Sequence, residues 1–379
     1  MLSPHPFRLY PNPNAGTPGV VVLTEAGFRR ARGEITSWPG YAATPLLDIA
    51  VAGLGVVRIK DEAGRFGLGS FKALGGAYAV ARVLVGELAR RKVALNATTA
   101  ELRAGRYLQA GDVTVCCATD GNHGRSVAWG AREFGCRCVI FVHETVSQAR
   151  VEAIAAFGAE IRRVAGTYDD AVREAAGVAE MRGWFVVSDT SWAGYTTVPV
   201  DVMQGYRLMA EEAASQWAGA APTHVFIQGG VGGVAAAVSV QLRQQWRPAP
   251  RLVVVEPDKA ACLLASAELG VPTAIPGDLD TVMAGLACGE PSLLAWQELA
   301  RGASAFMAVP DAAAVECMRF LAGLGIVSGE SGVAGLAALL LAAGDPAARE
   351  MLGLGPESRV LLFSTEGATD PELYERLVG

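Results

Sequence analysis

Lys72 is the one charged residue in "FGLGSFKALGGAY", residues 66–78 of a 379-residue chain. Taking an ammonium out of water is costly unless its pKa falls or its nitrogen reacts. A neutral amine is what a lysine needs before it can attack a carbonyl and form an imine. The plainer reading is a lysine that lays its apolar stem along the protein and returns its head to water.

Three further segments carry residue types that could act with it. The first is "GGVGG", made of Gly229, Gly230, Val231, Gly232 and Gly233, between the apolar "THVFIQ" and the helical "VAAAVSVQL". Successive glycine N–H groups ahead of a helix start form a cradle for phosphate, although the same glycines also permit close strand-helix packing. Gly230, Gly232 and Ala235 also match the G-x-G-x-x-A dinucleotide fingerprint, with Glu256 at the end of the next strand as a ribose-binding acid. The loop alone does not separate a dinucleotide from a single-phosphate cofactor.

The second segment is "ATDGNHGRS", residues 118–126. Asp120 and Asn122 suit a helix N-cap, and Asn122 could fill that role and no other. Thr119, Asn122 and His123, with free N–H groups at a helix start, could also bind a carboxylate, while Asp120 adds a titratable group. The third is "VVSDTSWAGY", residues 186–195, where Asp189 follows a strand. An aspartate there is either a turn-former or a base.

These loops need elements to hold them. Short β-branched runs alternate with Ala/Leu-rich helical stretches: "GVVRIK" and a helix from about Leu74; "VTVCCAT" and a helix over about Asn122 to Phe134; "CRCVIFV" and "SQARVEAIAAFG"; "THVFIQ" and a helix after Gly233; "RLVVVEP" and "DKAACLLASAEL"; finally "RVLLFSTEG". Strand, loop and helix in this order predict an α/β fold with parallel sheets covered on both faces. In such sheets ligands bind beyond the carboxyl ends of the strands, where all three segments fall. Polar stretches at about Asn96 to Gly111 and Trp192 to Pro199 are the candidate boundaries between sheets.

The chain is 51% hydrophobic and 18% charged, with a net charge of -6. No basic cluster tracks phosphates, so a small molecule is expected as partner, with no nucleic acid and no membrane. The apolar stretch 221–242 is broken by its glycines and reads as core. The start "MLSPHPFRLYPNPN" has no basic, apolar leader, and seven unpatterned cysteines fit a reducing compartment, so a cytoplasmic location is expected. His143-Glu144 lacks a second zinc-binding histidine, and no catalytic metal is expected.

Taken in order, Ser70-Phe71-Lys72, Asp120-Gly121-Asn122-His123 and the glycine loop resemble the fold-type II pyridoxal phosphate (PLP) enzymes, the tryptophan synthase β and threonine dehydratase superfamily. The resemblance runs from about Arg65 to Asp370. It implies two open twisted, mostly parallel sheets flanked by helices. A large PLP-binding domain would comprise 1–78 and 193–379, a smaller α/β domain 79–192 would be inserted in it, and the cofactor would lie in the cleft between them. Lys72 resembles the Schiff-base lysine with Phe71 beside it, and apolar surroundings help keep its free amine neutral. By the same resemblance, residues 229–233 would hold the cofactor phosphate and Asn122 the ring hydroxyl. Thr365, or Ser364, would face the pyridine nitrogen, and Glu330 matches a recurring acid.

"RFGLGSFKALGGAYA", "ATDGNHGRSVAWGAREFG", "DTSWAGY" and "TVMAGLACGEPS" are similar, more narrowly, to the diaminopropionate ammonia-lyases. Asp120 is the distinguishing feature, since threonine and serine dehydratases generally carry a small residue there, and a carboxylate suits a substrate with a second ammonium. The resemblance implies α,β-elimination of D- and/or L-2,3-diaminopropionate to pyruvate and ammonia. Asp120, Asp189 and Lys72 would be the catalytic groups, and Thr119, Asp120, His123 and Asp189 would contact substrate. It also implies a homodimer. Cys262 and Cys288 lie in segments shared with that family and are expected as free thiols. The alternatives are a PLP-dependent lyase or dehydratase acting on serine, threonine or another β-substituted alanine, and a nicotinamide-dependent dehydrogenase built on the Gly230 fingerprint. A silent binding protein is disfavoured by the joint presence of Lys72, Asp120 and Asp189.

Overall fold

The computed structural model describes residues 2–119, 121–144, 146–166 and 168–379. In chain order its strands are β1 (Arg8–Pro11), β2 (Leu46–Ile49), β3 (Val56–Asp61), β4 (Thr114–Ala118), β5 (Arg137–His143) and β6 (Glu160–Val164). They continue as β7 (Phe185–Val186), β8 (His224–Gln228), β9 (Arg251–Pro257), β10 (Ala305–Val309) and β11 (Arg359–Ser364). The chain divides into two compact units, one of Met1–Leu23, Ala43–Ser70 and Met209–Gly379, the other of Thr24–Ala42 and Phe71–Leu208. These divisions differ from those expected at 78/79 and 192/193. A cut after residue 78 would fall inside the helix Ala73–Arg90, which packs lengthwise on the helix Asn122–Phe134. Residues 96–111 and 192–199 both lie inside the second unit, so neither polar stretch marks a boundary. Their polarity comes from short turns and helix caps, such as the Thr98–Glu101 capping box.

The first unit holds a seven-stranded sheet in the order β1-β10-β9-β8-β11-β3-β2. Its edge strands β1 and β2 are antiparallel to their neighbours, and the strands between run parallel. Parallel strands covered on both faces must be apolar throughout, and every residue of "HVFIQ" in β8 and "AFMAV" in β10 is buried. The helix Ala334–Gly344, "AGLAALLLAAG", is apolar all round because it lies within this core. From β8 the chain builds β9 and β10 to one side, then returns to lay β11 on the other side of β8. Strand order therefore reverses between β8 and β11, and a crevice opens at the carboxyl end of such a reversal. Gly229 follows β8 there and Thr365 follows β11.

The second unit repeats the device with a four-stranded parallel sheet, β6-β5-β4-β7. Its order reverses between β4 and β7, from which lead Thr119 and Asp189.

A buried ionic cluster anchors the segment that ends at Ser70 in the first unit. Arg65 gives Nε and Nη2 to Glu62 at 2.8 Å each, and Nη1 and Nη2 to Glu212 at 2.9 and 2.7 Å. Lys60 Nζ lies 2.8 Å from Glu212 and also donates to Thr44 O and Gln216. Two cations face two anions, each with several hydrogen bonds, which is the arrangement in which buried charge is tolerated. Beyond it, Ser70 is bridged to Glu366 and Gly367 N donates to Gly69 O.

Candidate active site

In the second unit Lys72 opens the helix Ala73–Arg90, accepting through its carbonyl from Gly75 N and Gly76 N. The two glycines that follow it have packing reasons. A Cβ on Gly75 would be driven into the Tyr206 ring, and one on Gly76 into Ser126 Oγ; one on Gly130 would lie 2.7 Å from Ala77 Cα. Small residues thus let helix Ala73–Arg90 rest against both Asn122–Phe134 and Thr197–Gln216, which sets Lys72 beside His123 and Tyr206. Gly75→Ala should therefore lower stability by about 1–3 kcal/mol through overpacking, read as a lowered midpoint in urea unfolding.

Lys72 Nζ stands 2.5 Å from Asp189 Oδ2. Burial would raise the Asp189 carboxyl, but the neighbouring His123 ring and Lys72 ammonium outweigh it and hold it far below the usual carboxylate range. His123 Nε2 lies 2.8 Å from Val187 O, so that nitrogen carries the hydrogen, and Nδ1 faces Asp189 Oδ2 at 3.7 Å. Burial lowers the imidazole pKa, with the Asp189 carboxylate pulling against it. Tyr195 fixes the loop: its hydroxyl donates to Val186 O at 2.8 Å and accepts from Ser188 N at 3.0 Å, while Trp192 stacks on its ring at 4.2 Å. Asp189 is accordingly an ion-pair partner of Lys72, not a plain turn-former. Lys72 keeps its head at this carboxylate; the snorkelling reading does not apply.

Thr119 Oγ1 accepts from Gly121 N and Gly124 N at 3.0 Å each, capping the helix start. The N-cap residue is Gly121, at φ 153°, and Asn122 is the first helical residue, which corrects the N-cap reading of Asn122. Asp120 lies outside the described residues. Phe71 packs on Tyr206 with the rings tilted by 55° and their centres 4.6 Å apart, and Lys72 Nζ lies 5.3 Å from the Phe71 ring centre.

In the first unit Gly229 N donates to Val255 O, completing the ladder, and Ala236 N closes the first helical turn on Gly232 O. Between them Gly230 to Gly233 turn through a left-handed Gly232, φ 96°, into the helix Gly233–Gln245. The first amides of a helix have no intrahelical acceptor and face outward with the positive dipole end. A Cβ on Gly230 would meet Cys288 Sγ and Gly285 O at 3.3 Å, and one on Gly229 would meet Val254 at 2.5 Å. The glycines thus serve close packing as well as open amides. At the end of β11, Ser364 Oγ donates to Ser328 Oγ at 2.7 Å, and Thr365 is next in the chain and buried. Glu330 is buried, and its neighbour Ser331 donates its N–H to Glu366 Oε1 at 2.9 Å.

Glu256 rules against the dinucleotide reading. It is fully buried and both its oxygens accept amides, Leu263 N at 2.7 Å and Leu264 N at 2.8 Å. Burial pushes its carboxyl up to about 8. It caps the start of the helix Cys262–Leu269 inside the core and offers nothing to a ribose.

Residues 38–366 match the family described as pyridoxal-phosphate dependent enzyme. The chain is 40% identical over 354 residues to the diaminopropionate ammonia-lyase of Escherichia coli K12, covering 89% of this chain and 88% of that one. The chain belongs to the diaminopropionate ammonia-lyase family of pyridoxal-phosphate dependent enzymes. The holo crystal structure of the Escherichia coli lyase superposes with a TM-score of 0.91 at 36% identity, covering 98% of this chain and 96% of that one. The same lyase in complex with an aminoacrylate-PLP azomethine reaction intermediate superposes with a TM-score of 0.86 at 36% identity, covering 98% and 97%.

The residues fit the family's cofactor. A phosphate dianion needs amides and a helix start, as residues 229–233 supply, and a carbonyl needs a lysine amine held in place, as Lys72 is. Tyr206 and Tyr195 were not legible as site residues; Gly205, which lets Leu74 O approach its backbone, was the one available signal. All seven cysteines are free, and Cys262 Sγ lies 3.8 Å from Gly230 O. Among the described residues no group of three His, Cys, Asp or Glu could hold a metal, and no helix is long and apolar enough to cross a membrane.

Proposed function

We propose that the chain catalyses α,β-elimination of 2,3-diaminopropionate, releasing the β-amino group as ammonia and an enamine that hydrolyses to pyruvate and a second ammonia. The observation that carries this reading is the Lys72–Asp189 pair at 2.5 Å in a chain of this family. When bound, PLP supplies the electron sink that makes a Cα proton acidic and lets a β-substituent leave. Lys72 is its covalent anchor. Amides of Gly229, Gly230, Val231, Gly232 and Gly233 hold the phosphate, Asn122 the ring hydroxyl, and Phe71 packs beside the lysine. Thr365 serves the pyridine nitrogen, a choice supported by the engagement of the Ser364 hydroxyl with Ser328. Glu330 shapes the neighbouring turn.

Asp189, held ionised by Lys72, accepts the Cα proton of one enantiomer, and Asp120 that of the other. The β-nitrogen, bound as the ammonium, leaves as ammonia with the electron pair of its bond to Cβ and needs no further proton. Thr119 orders the loop that presents Asp120 and His123 to the substrate. A carboxylate beside the β-ammonium favours diaminopropionate over threonine, whose neutral hydroxyl would leave that charge unpaired. The working form is a cytoplasmic homodimer.

Pyruvate release measured on D- and L-diaminopropionate, D- and L-serine and threonine tests the assignment. Turnover of serine or threonine in preference to diaminopropionate would replace it with the dehydratase reading. Asp189→Asn and Asp120→Asn should each cut turnover of one enantiomer by about 10²–10⁴-fold and spare the other far more, the range of a general base. Equal, small losses on both enantiomers would remove the aspartates from the chemistry.

A further inference from the structure

Two buried polar atoms beside the Lys72–Asp189 pair have no hydrogen-bond partner, His123 Nδ1 and Tyr206 Oη. The histidine nitrogen faces Asp189; the tyrosine hydroxyl lies where Lys72 acts on it both by charge and as a hydrogen-bonding side chain. An interior that keeps an orphan hydroxyl where phenylalanine would fill the same space calls for a reason. The chain is moreover built to admit this ring. Gly75 leaves the space the ring occupies, and Gly205 lets the two helix backbones meet at Leu74 O. Phe71 packs at a tilt on one side, and Lys72 Nζ lies 5.9 Å from the ring centre. Burial raises the phenol pKa while Lys72 pulls against it, so the hydroxyl stays neutral.

We propose that Tyr206 is a positioning residue for Lys72, its hydroxyl oxygen receiving an N–H of the lysine amine whenever that nitrogen is released from Asp189. Both partners accept from the lysine, but the carboxylate favours the ammonium far more strongly than the neutral phenol does. Asp189 stabilises the ammonium; a neutral phenol orients the free amine, leaving its lone pair for the substrate. Lysine can then alternate between holding a proton and taking one without leaving its place. Among the described residues, the groups facing this amine are Asp189 from the loop after β7, His123 from the helix Asn122–Phe134 and Tyr206 from the helix Thr197–Gln216. Cys117 on β4 and Tyr195 face Asp189 in turn. The inference rests on Lys72 being the reacting lysine.

Tyr206→Phe keeps the ring and deletes the oxygen. In the holoenzyme kcat should fall about tenfold with KM changed less than about twofold, and the rising limb of the kcat–pH profile should move down by up to about one pH unit, because an oxygen that accepts more strongly from the ammonium than from the free amine has been removed. Thermal stability should be unchanged or higher, since an unpaired buried hydroxyl has been removed. Acetylation of Lys72 as a function of pH, followed by peptide mass spectrometry on the cofactor-free chain, should show the same downward displacement. An active wild type whose Tyr206→Phe variant keeps kcat, the pH profile and the acetylation midpoint overturns the inference. So does a variant that loses stability and kcat together with an unmoved midpoint. A wild type without lyase activity but with a displaced acetylation midpoint in the variant would sink the proposed function and leave the role of Tyr206 standing.

Discussion

Lys72→Ala should lower pyruvate release from either enantiomer of diaminopropionate by at least about 10⁴-fold, the upper end of what one acid-base group supplies. The loss exceeds that of either aspartate because one nitrogen both anchors the cofactor and pairs with Asp189. The structural consequence is separable. Asp189 would be left as a largely buried carboxylate facing the His123 ring at 3.7 Å, at a cost of about 3 kcal/mol, as when one member of a buried pair is removed. The double variant Lys72→Ala with Asp189→Asn should recover most of that stability and none of the activity. Urea unfolding beside a pyruvate assay distinguishes the two effects, and borohydride treatment of the wild type should place the reduced cofactor adduct on the peptide containing Lys72. An adduct on another peptide would end the proposed assignment.

The second large effect lies outside the reacting groups. Arg65→Leu leaves Glu62 and Glu212 in the core with Lys60 as their remaining cation, and should lower stability by about 3–5 kcal/mol, a large share of the roughly 5–15 kcal/mol of a whole domain. Activity should fall with the folded fraction, since this cluster anchors the segment from β3 to Ser70. Burial would raise the Glu212 carboxyl, but Arg65 and Lys60 overcome it and hold it below its ordinary value. A depressed acid contributes stability above its unfolded pKa and loses it as pH falls through the folded one. The wild type should therefore weaken below about pH 4 by an amount that Arg65→Leu no longer shows. A variant as stable as the wild type at pH 7 would mean that the cluster merely offsets its own desolvation.

The architecture was largely legible because parallel strands buried on both faces are written as apolar runs. "THVFIQ", "RLVVVEP", "CRCVIFV" and "RVLLFSTEG" each became a central strand, and the helix over Asn122 to Phe134 falls where the periodicity puts it. The short edge strands β1, "RLYP", and β2, "LLDI", carry little pattern of their own, since a neighbour supplies half their environment. The unit boundaries were misplaced for a related reason. Polarity marks loops, whereas the divisions fall at Ser70 and within the helix Thr197–Gln216, where nothing in the local composition changes.

Residue type and spacing alone established that Lys72, the glycine loop and Asp189 follow strands of an α/β fold, because chemistry there sits on the carboxyl-end loops whatever the rest of the chain does. Which groups touch was decided by packing. Glu256 looked like a ribose acid until the fold closed two amides on it. Asp189 could have been a turn-former until Tyr195 pinned its loop opposite Lys72. Tyr206, far along the chain from Lys72, gained its place only because Gly75 and Gly205 let two helices meet. Such contacts depend on the absence of a Cβ at one position and a ring at another, a relation between distant residues that no local run of sequence contains.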